Sequence, residues 1–267
     1  MPKIPFLSLL TDFHPSDGFI GAMKGIILEI SPQTRVIDLA HELRKFSVRE
    51  AAFILKTTYS YFPKETVFCV VIDPGVGTER RAIAVKTEEY YFVGPDNGVL
   101  FPAIQQERIK EIRELTNSKY FLSEISPTFH GRDIFAPVAA YLSKDGNIFG
   151  QLGPLIEKNS LVTFSLETFN ITQKIATGEV AGIDSFGNVI TNIPAEKFWG
   201  KRGKQYTIDA GEERITARFV TTFREGEEGE MLLLEENHGF LEFAINKASA
   251  SRKLGIKVGE EIKIHRV

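Results

Sequence analysis

Val67-Phe68-Cys69-Val70-Val71-Ile72-Asp73-Pro74-Gly75-Val76-Gly77-Thr78-Glu79-Arg80-Arg81 is the stretch that decides the fold. Its first six residues are apolar and rich in β-branched side chains, the pattern of a strand buried on both faces of a parallel sheet. Pro74 has no N–H to give to a ladder, and Gly75 and Gly77 allow the chain to turn sharply. The run therefore predicts an acid, Asp73, delivered at the carboxyl end of a core strand, with two arginines returning close behind it. In open α/β sheets that edge is where ligands bind.

Working outward, strand and helix signals alternate. Phe6 to Leu10 reads as a first strand ending at Thr11-Asp12. Apolar residues at 19, 20, 23, 26, 27 and 30 lie on one helical face. Val36 to Leu39 reads as a second strand, Val48 to Tyr61 as a helix, Ala82–Val85 with Tyr90–Val93 as a hairpin, and Asp133 to Ser143 as a further helix. The expected fold class is α/β: a mostly parallel sheet flanked by helices over residues 1–168. After Leu166 short β-rich runs take over, among them Glu179–Ile183, Gln205–Ile208, Ile215–Val220, Met231–Leu234, Phe240–Ile245 and Glu261–His265. They predict a smaller all-β, barrel-like domain over 169–267, with the boundary between Val162 and Gly178.

Composition excludes several classes. The 267 residues are 43% hydrophobic and 25% charged, enough to bury a sizeable core. A net charge of −3 gives no electrostatic footprint for nucleic acid. Cys69, the single cysteine, falls inside the apolar strand, so no disulfide or cysteine zinc site is available within the chain and a reducing cytoplasm is expected. Met1 to Leu10 turns polar too quickly for a signal peptide. No run approaches the ~20 apolar residues of a membrane span.

G-x-G-x-x-G, Walker, H-E-x-x-H and G-x-S-x-G signatures are all missing. The five histidines, at 14, 41, 130, 238 and 265, lack metal-ligand spacing, so no metal is expected. Four clusters remain. Leu10-Thr11-Asp12-Phe13 puts a carboxylate where a ribose diol could be gripped, and Asp17 reads as the N-cap of the following helix. Asp73 with Arg80 and Arg81 can share and polarise a water, or form a structural ion pair; Pro95-Asp96-Asn97-Gly98, close behind, reads as a turn. Thr128-Phe129-His130-Gly131-Arg132-Asp133 sets a histidine at the start of a helix, either catalytic or structural, with Asp133 as the cap. In Gly182-Ile183-Asp184-Ser185-Phe186-Gly187-Asn188-Val189 an acid, an amide and an aromatic ring flank a turn, suited to an ammonium, a polar edge and a base, or simply to a hairpin.

Together, and in this order, these runs resemble the SAM hydroxide adenosyltransferases, relatives of the fluorinating and chlorinating enzymes. Asn237-His238-Gly239-Phe240-Leu241 and Ala244 to Ser249 extend the likeness to nearly the whole chain. The resemblance implies hydrolysis of S-adenosyl-L-methionine to adenosine and L-methionine without a cofactor. It implies a catalytic set of Asp73, Arg80 and His130, with Arg81 the alternative to Arg80. Asp12 would take the ribose hydroxyls and Phe46 would lie near the ligand. Asp184 and Asn188 would contact the methionine or the nucleoside, and Phe186 and Phe223 would line the adenine pocket. The backbone of Ile245, Asn246 and Lys247 would read the adenine edge, and Asn237 and His238 lie where relatives bind the methionine carboxylate. The halogenases carry a tyrosine at Asp73 and a serine at Gly131, so water rather than halide is the expected nucleophile. Relatives are homotrimers whose sites join the first domain of one subunit to the second domain of the next.

Three rivals remain: halide-dependent transfer from the same substrate, binding of SAM or adenosine without turnover, and oligonucleotide binding by the small barrel. The acidic balance opposes the last.

Overall fold

The structure, a computed structural model, describes residues 4–266. Met1–Lys3, where the stretch weighed as a signal peptide begins, and Val267 lie outside the described residues. The chain divides after Phe164 into two compact units.

The first unit is built on a six-stranded sheet of β1 (Phe6–Thr11), β2 (Arg35–Ala40), β3 (Val67–Val71), β4 (Ala82–Thr87), β5 (Tyr91–Pro95) and β6 (Ile109–Glu114), in the order β2-β1-β3-β5-β4-β6. The pairs β1–β2, β1–β3 and β3–β5 are parallel, while β4 runs antiparallel to β5 and β6. The expected hairpin is the β4–β5 pair. Every residue of β3 is buried, as a central strand covered on both faces requires. Helix α1 (Phe19–Ile30) turns Ile20, Met23 and Ile27 inward at helical spacing. Met23 and Ile27 join Leu7, Leu9, Val67, Cys69 and the inner side of a later helix in one cluster. Phe68 and Phe92 stack 5.2 Å apart on the sheet. Tyr59, in the turn that ends helix α2 (Val48–Thr58), meets both edge-on, a geometry that aromatic quadrupoles favour. Burial pushes the Cys69 thiol well up, which leaves it a small apolar core residue.

Two sequence expectations are corrected here. Asp133 does not cap a helix. It sits fully buried inside a wide turn, Gly131–Phe135, in which the Ala136 N–H reaches back to the Gly131 carbonyl. The regular helix begins only at Ala136 and runs to Lys144 (α3). Nor does Asp17 cap α1: Gly18, at φ 75°, precedes that helix, and Asp17 instead accepts from the His14 N–H.

The second unit is a closed barrel of seven strands, β8 (Ile175–Ile183), β9 (Val189–Pro194), β10 (Gln205–Ala210), β11 (Glu213–Phe219), β12 (Met231–Glu235), β13 (Phe240–Ile245) and β14 (Glu261–His265). A short strand, β7 (Asn170–Ile171), pairs antiparallel with β8. The order runs β14-β10-β11-β12-β13-β9-β8, and antiparallel pairing of β8 with β14 closes the ring. Alternation builds the interior: Tyr206, Ile208 and Ala210 of β10 point in while the residues between them are more exposed. Closure leaves no long unpaired edge. Among the described residues no helix is long and apolar enough to cross a membrane.

Candidate active site

Strand β3 ends at Val71, and Asp73 follows where the ladder stops. The chain then loops through Gly75 and Gly77 and returns at Arg80. Gly77, at φ 77°, is obligatory here, because a Cβ would stand 2.4 Å from the Pro127 carbonyl oxygen. That close approach lays the loop against the segment carrying His130.

Asp73, Arg80 and His130 meet in one bonded group. Arg80 Nε donates to Asp73 Oδ1 at 3.1 Å and Nη2 donates to Oδ2 at 2.5 Å, a two-pronged ion pair. The same Nη2 lies 3.1 Å from His130 Nδ1. A guanidinium can only donate, so Nδ1 accepts and the ring proton sits on Nε2. Burial and the nearby Arg80 charge lower the His130 pKa, against smaller opposing pulls from Asp73 and Asp133, so the ring stays neutral at pH 7. The Phe135 ring, 5.3 Å from Arg80 Cζ, backs the guanidinium.

Arg81 faces elsewhere. It binds Asp96 through Nε at 2.9 Å and Nη2 at 2.5 Å, and reaches Ser160. Of the two arginines, Arg80 is the one bonded to Asp73 and His130. Gly131, next to His130 in the chain, is buried: an added Cβ would lie 3.2 Å from Phe129 and Val71 and 3.4 Å from Met23.

Asp12 occupies the neighbouring strand end, one residue past Thr11, the register partner of Val71. Its Oδ2 accepts the Phe46 N–H at 2.9 Å, and its carbonyl accepts Lys45 Nζ at 2.6 Å. Phe46 is held at φ 63°, a costly backbone for a residue with a Cβ, and leaves its ring 68% exposed.

The second unit gathers the remaining predicted residues. Asp184, Phe186, Asn188, Phe223, Ile245, Asn246 and Lys247 all line one cleft of about 800 Å³. Asp184 Oδ1 accepts the N–H groups of Phe186 and Asn188, and its Oδ2 accepts Asn188 Nδ2 at 2.9 Å. Gly187, at φ 84°, lets this turn press on Ser249, whose Oγ would be 2.1 Å from a Cβ there. Asn237 lies outside the cleft lining, on the turn between β12 and β13, where its Nδ2 is 3.0 Å from His238 Nε2.

Sequence reasoning passed over Glu242. An acid amid Phe240, Leu241, Phe243, Ala244 and Ile245 was the available signal. It is buried, and burial together with the Asp184 and Glu236 charges raises its pKa to about 7.

Comparison with known proteins fits this geometry. Residues 7–153 match the SAM hydroxide adenosyltransferase N-terminal domain, and residues 178–263 its C-terminal domain. A Salinispora tropica protein named (R)-S-adenosyl-L-methionine hydrolase is 36% identical over 99% of each chain, and one of that name from Methanocaldococcus jannaschii is 34% identical over 98% of this chain and 96% of its own. A fluorinase from Actinoplanes is 24% identical over 97% of each. The crystal structure of an uncharacterized conserved protein from Thermotoga maritima covers 97% of this chain and all of its own, with a TM-score of 0.90 and 39% identity. Two matched domains and full-length relatives leave one conclusion: the chain belongs to the SAM hydroxide adenosyltransferase family.

Proposed function

We propose that the chain hydrolyses S-adenosyl-L-methionine to adenosine and L-methionine, by in-line attack of a single water on the ribose 5′-carbon. The observation that carries this reading is the bonded group of Asp73, Arg80 and His130 at the carboxyl edge of β3. The relatives named as hydrolases support it, at 34–36% identity over nearly the full chain.

The substrate brings its own leaving group, because a sulfonium departs as a neutral thioether, and the reaction needs no cofactor. The difficult partner is water, with a bulk pKa of about 15.7. Asp73 accepts its proton: each carboxylate oxygen keeps a lone pair beyond the one that Arg80 uses. Arg80 stabilises the developing hydroxide. His130, neutral and protonated on Nε2, completes the water network. Holding the water about 3–3.5 Å from carbon, opposite sulfur, supplies the larger part of the rate.

Asp12 takes the ribose hydroxyls beside Phe46. Asp184 and Asn188 receive the amino-acid end of the substrate, and Phe186 and Phe223 hold the adenine, whose edge meets Ile245 to Lys247. Asn237 and His238 are assigned to the methionine carboxylate on the resemblance alone. The assembly proposed with this reading is a homotrimer in a reducing cytoplasm, each site drawing on the first domain of one subunit and the second domain of the next. It has no nucleic-acid or membrane partner.

Fluorinases among the relatives make halide transfer the nearest competitor. Asp73 and Gly131, standing in place of tyrosine and serine, favour water. Incubation with SAM in halide-free ¹⁸O-water tests the choice. Label in the 5′-oxygen of adenosine is expected. A product that forms only when halide is added, or tight binding without turnover, would overturn the reading.

A further inference from the structure

Pro95-Asp96-Asn97-Gly98 looks in sequence like an ordinary turn after β5. In the structure its two polar side chains reach both ends of the Asp73–Arg80 loop. Asn97 Nδ2 donates to the Ile72 carbonyl at 2.8 Å, immediately before Asp73. The Asp96 N–H donates to the Arg81 carbonyl at 2.9 Å, immediately after Arg80, while the Asp96 carboxylate grips the Arg81 guanidinium.

The need for such a brace follows from the strands. The β3–β5 ladder pairs Val67 with Tyr91, Phe68 with Phe92 and Cys69 with Val93, and ends there. Beyond it, Pro74 can donate nothing, and the loop backbone makes short-range bonds, such as Val76 N–H to the Asp73 carbonyl and Thr78 to Gly75. Asn97 extends the ladder by one side-chain bond to the residue that aims Asp73. Its orientation is fixed, because Asn97 Oδ1 accepts the Val99 N–H at 3.1 Å. A flipped amide would set donor against donor and acceptor against acceptor.

We propose that Asp96 and Asn97 are positioning residues for the reaction, bracing the backbone on either side of the Asp73–Arg80 pair so that the two side chains keep the alignment they need toward water. The proposal rests on the hydrolytic reading for its effect on rate, but its structural half stands on bonds present without substrate. It does not make either residue a contact of the reacting atoms.

Two variants separate bracing from mere turn formation. Asn97→Asp keeps the oxygen that accepts the Val99 N–H but turns a second oxygen, not an amide, toward the Ile72 carbonyl. Asn97→Ala removes both bonds. Both are expected to lower kcat for SAM hydrolysis at least tenfold with KM held within about twofold, since an ångström of misplacement can cost about 10²-fold. The second readout needs no turnover. The His130 ring faces Arg80, Asp73 and Asp133. In Asn97→Ala the Asp73–Arg80 pair shifts relative to the ring, so the His130 titration, followed by NMR of the ring, departs from its value in the unsubstituted chain, while melting shows a folded protein. Unchanged kcat in Asn97→Asp, or an unmoved His130 titration in Asn97→Ala, overturns the proposal. Should the unsubstituted chain itself fail to hydrolyse SAM, the reading of the reaction falls, and the titration alone then decides whether the brace exists.

Discussion

The side chains of Asp73 and Arg80 expose only 5% and 8% of their surface, and each already satisfies the other. In the barrel, Phe186 and Phe223 stand 78% and 47% exposed around an open cleft. The first domain holds Asp73, Arg80 and His130 in place by bonds among themselves. The second leaves its aromatic faces bare. Under the proposed function the difference follows from what each would do. Groups that handle a proton gain from fixed alignment and low dielectric, whereas a surface that grips a nucleoside gains most from apolar area that only the ligand covers.

The sharpest attempt to break this contrast is Asp73→Asn. It keeps the shape but removes the proposed proton acceptor, and turnover is expected to fall by about 10³-fold. Single-turnover kinetics would measure it, with melting as a check because an unpaired buried Arg80 is itself costly. Undiminished turnover would mean that the bonded group is scaffolding. Gly187→Ala asks whether the cleft is as loose as its exposed rings suggest. Positive φ and the close Ser249 oxygen predict a loss of about 2–3 kcal/mol in denaturant unfolding. Gly203→Ala, at a similar φ of 81° but with open space around it, should lose only about 1 kcal/mol. Equal losses would show that the turn is not pressed on Ser249.

Glu242→Gln probes charge beneath the cleft. The acid ionises less readily folded, at about 7, than at its ordinary 4.5. Its protonated form is therefore the one the fold prefers, and the stability it contributes is full below 4.5 and lost as pH rises through 7. The glutamine variant should be more stable than the parent by about 2–3 kcal/mol at pH 8.5, narrowing to a few tenths at pH 4.5. Thermal melts at the two pH values read the difference, and a gap independent of pH would refute it. The smallest effect is expected from Phe186→Ala: melting unchanged, and KM for SAM raised about tenfold through lost stacking. A fall in kcat with KM intact would place that ring in the chemistry instead.

Much of this was legible in the chain. The apolar run to Ile72, stopped by Pro74, announced both the core strand and the acid at its end. The barrel strands announced themselves by alternation. Arg80 and Arg81 could not be told apart, because neighbours on an extended chain face opposite ways and the partners that distinguish them, Asp73 and Asp96, are set by long-range pairing. Asn97 was silent for the same reason: its partner is 25 residues away. Asp133 was misread because local rules favour an acid at a helix start, and the wide turn that swallows it has no short-range signature.

Gly131 bears on how such a protein could change its trade. The atoms crowding its missing side chain belong to Phe129, Val71 and Met23, three different elements of the first domain. A side chain added there would press on Phe129 and Val71 by a few tenths of an ångström and reach ordinary contact with Met23. Whether those side chains can yield that little decides what a hydroxyl at this position would cost the fold.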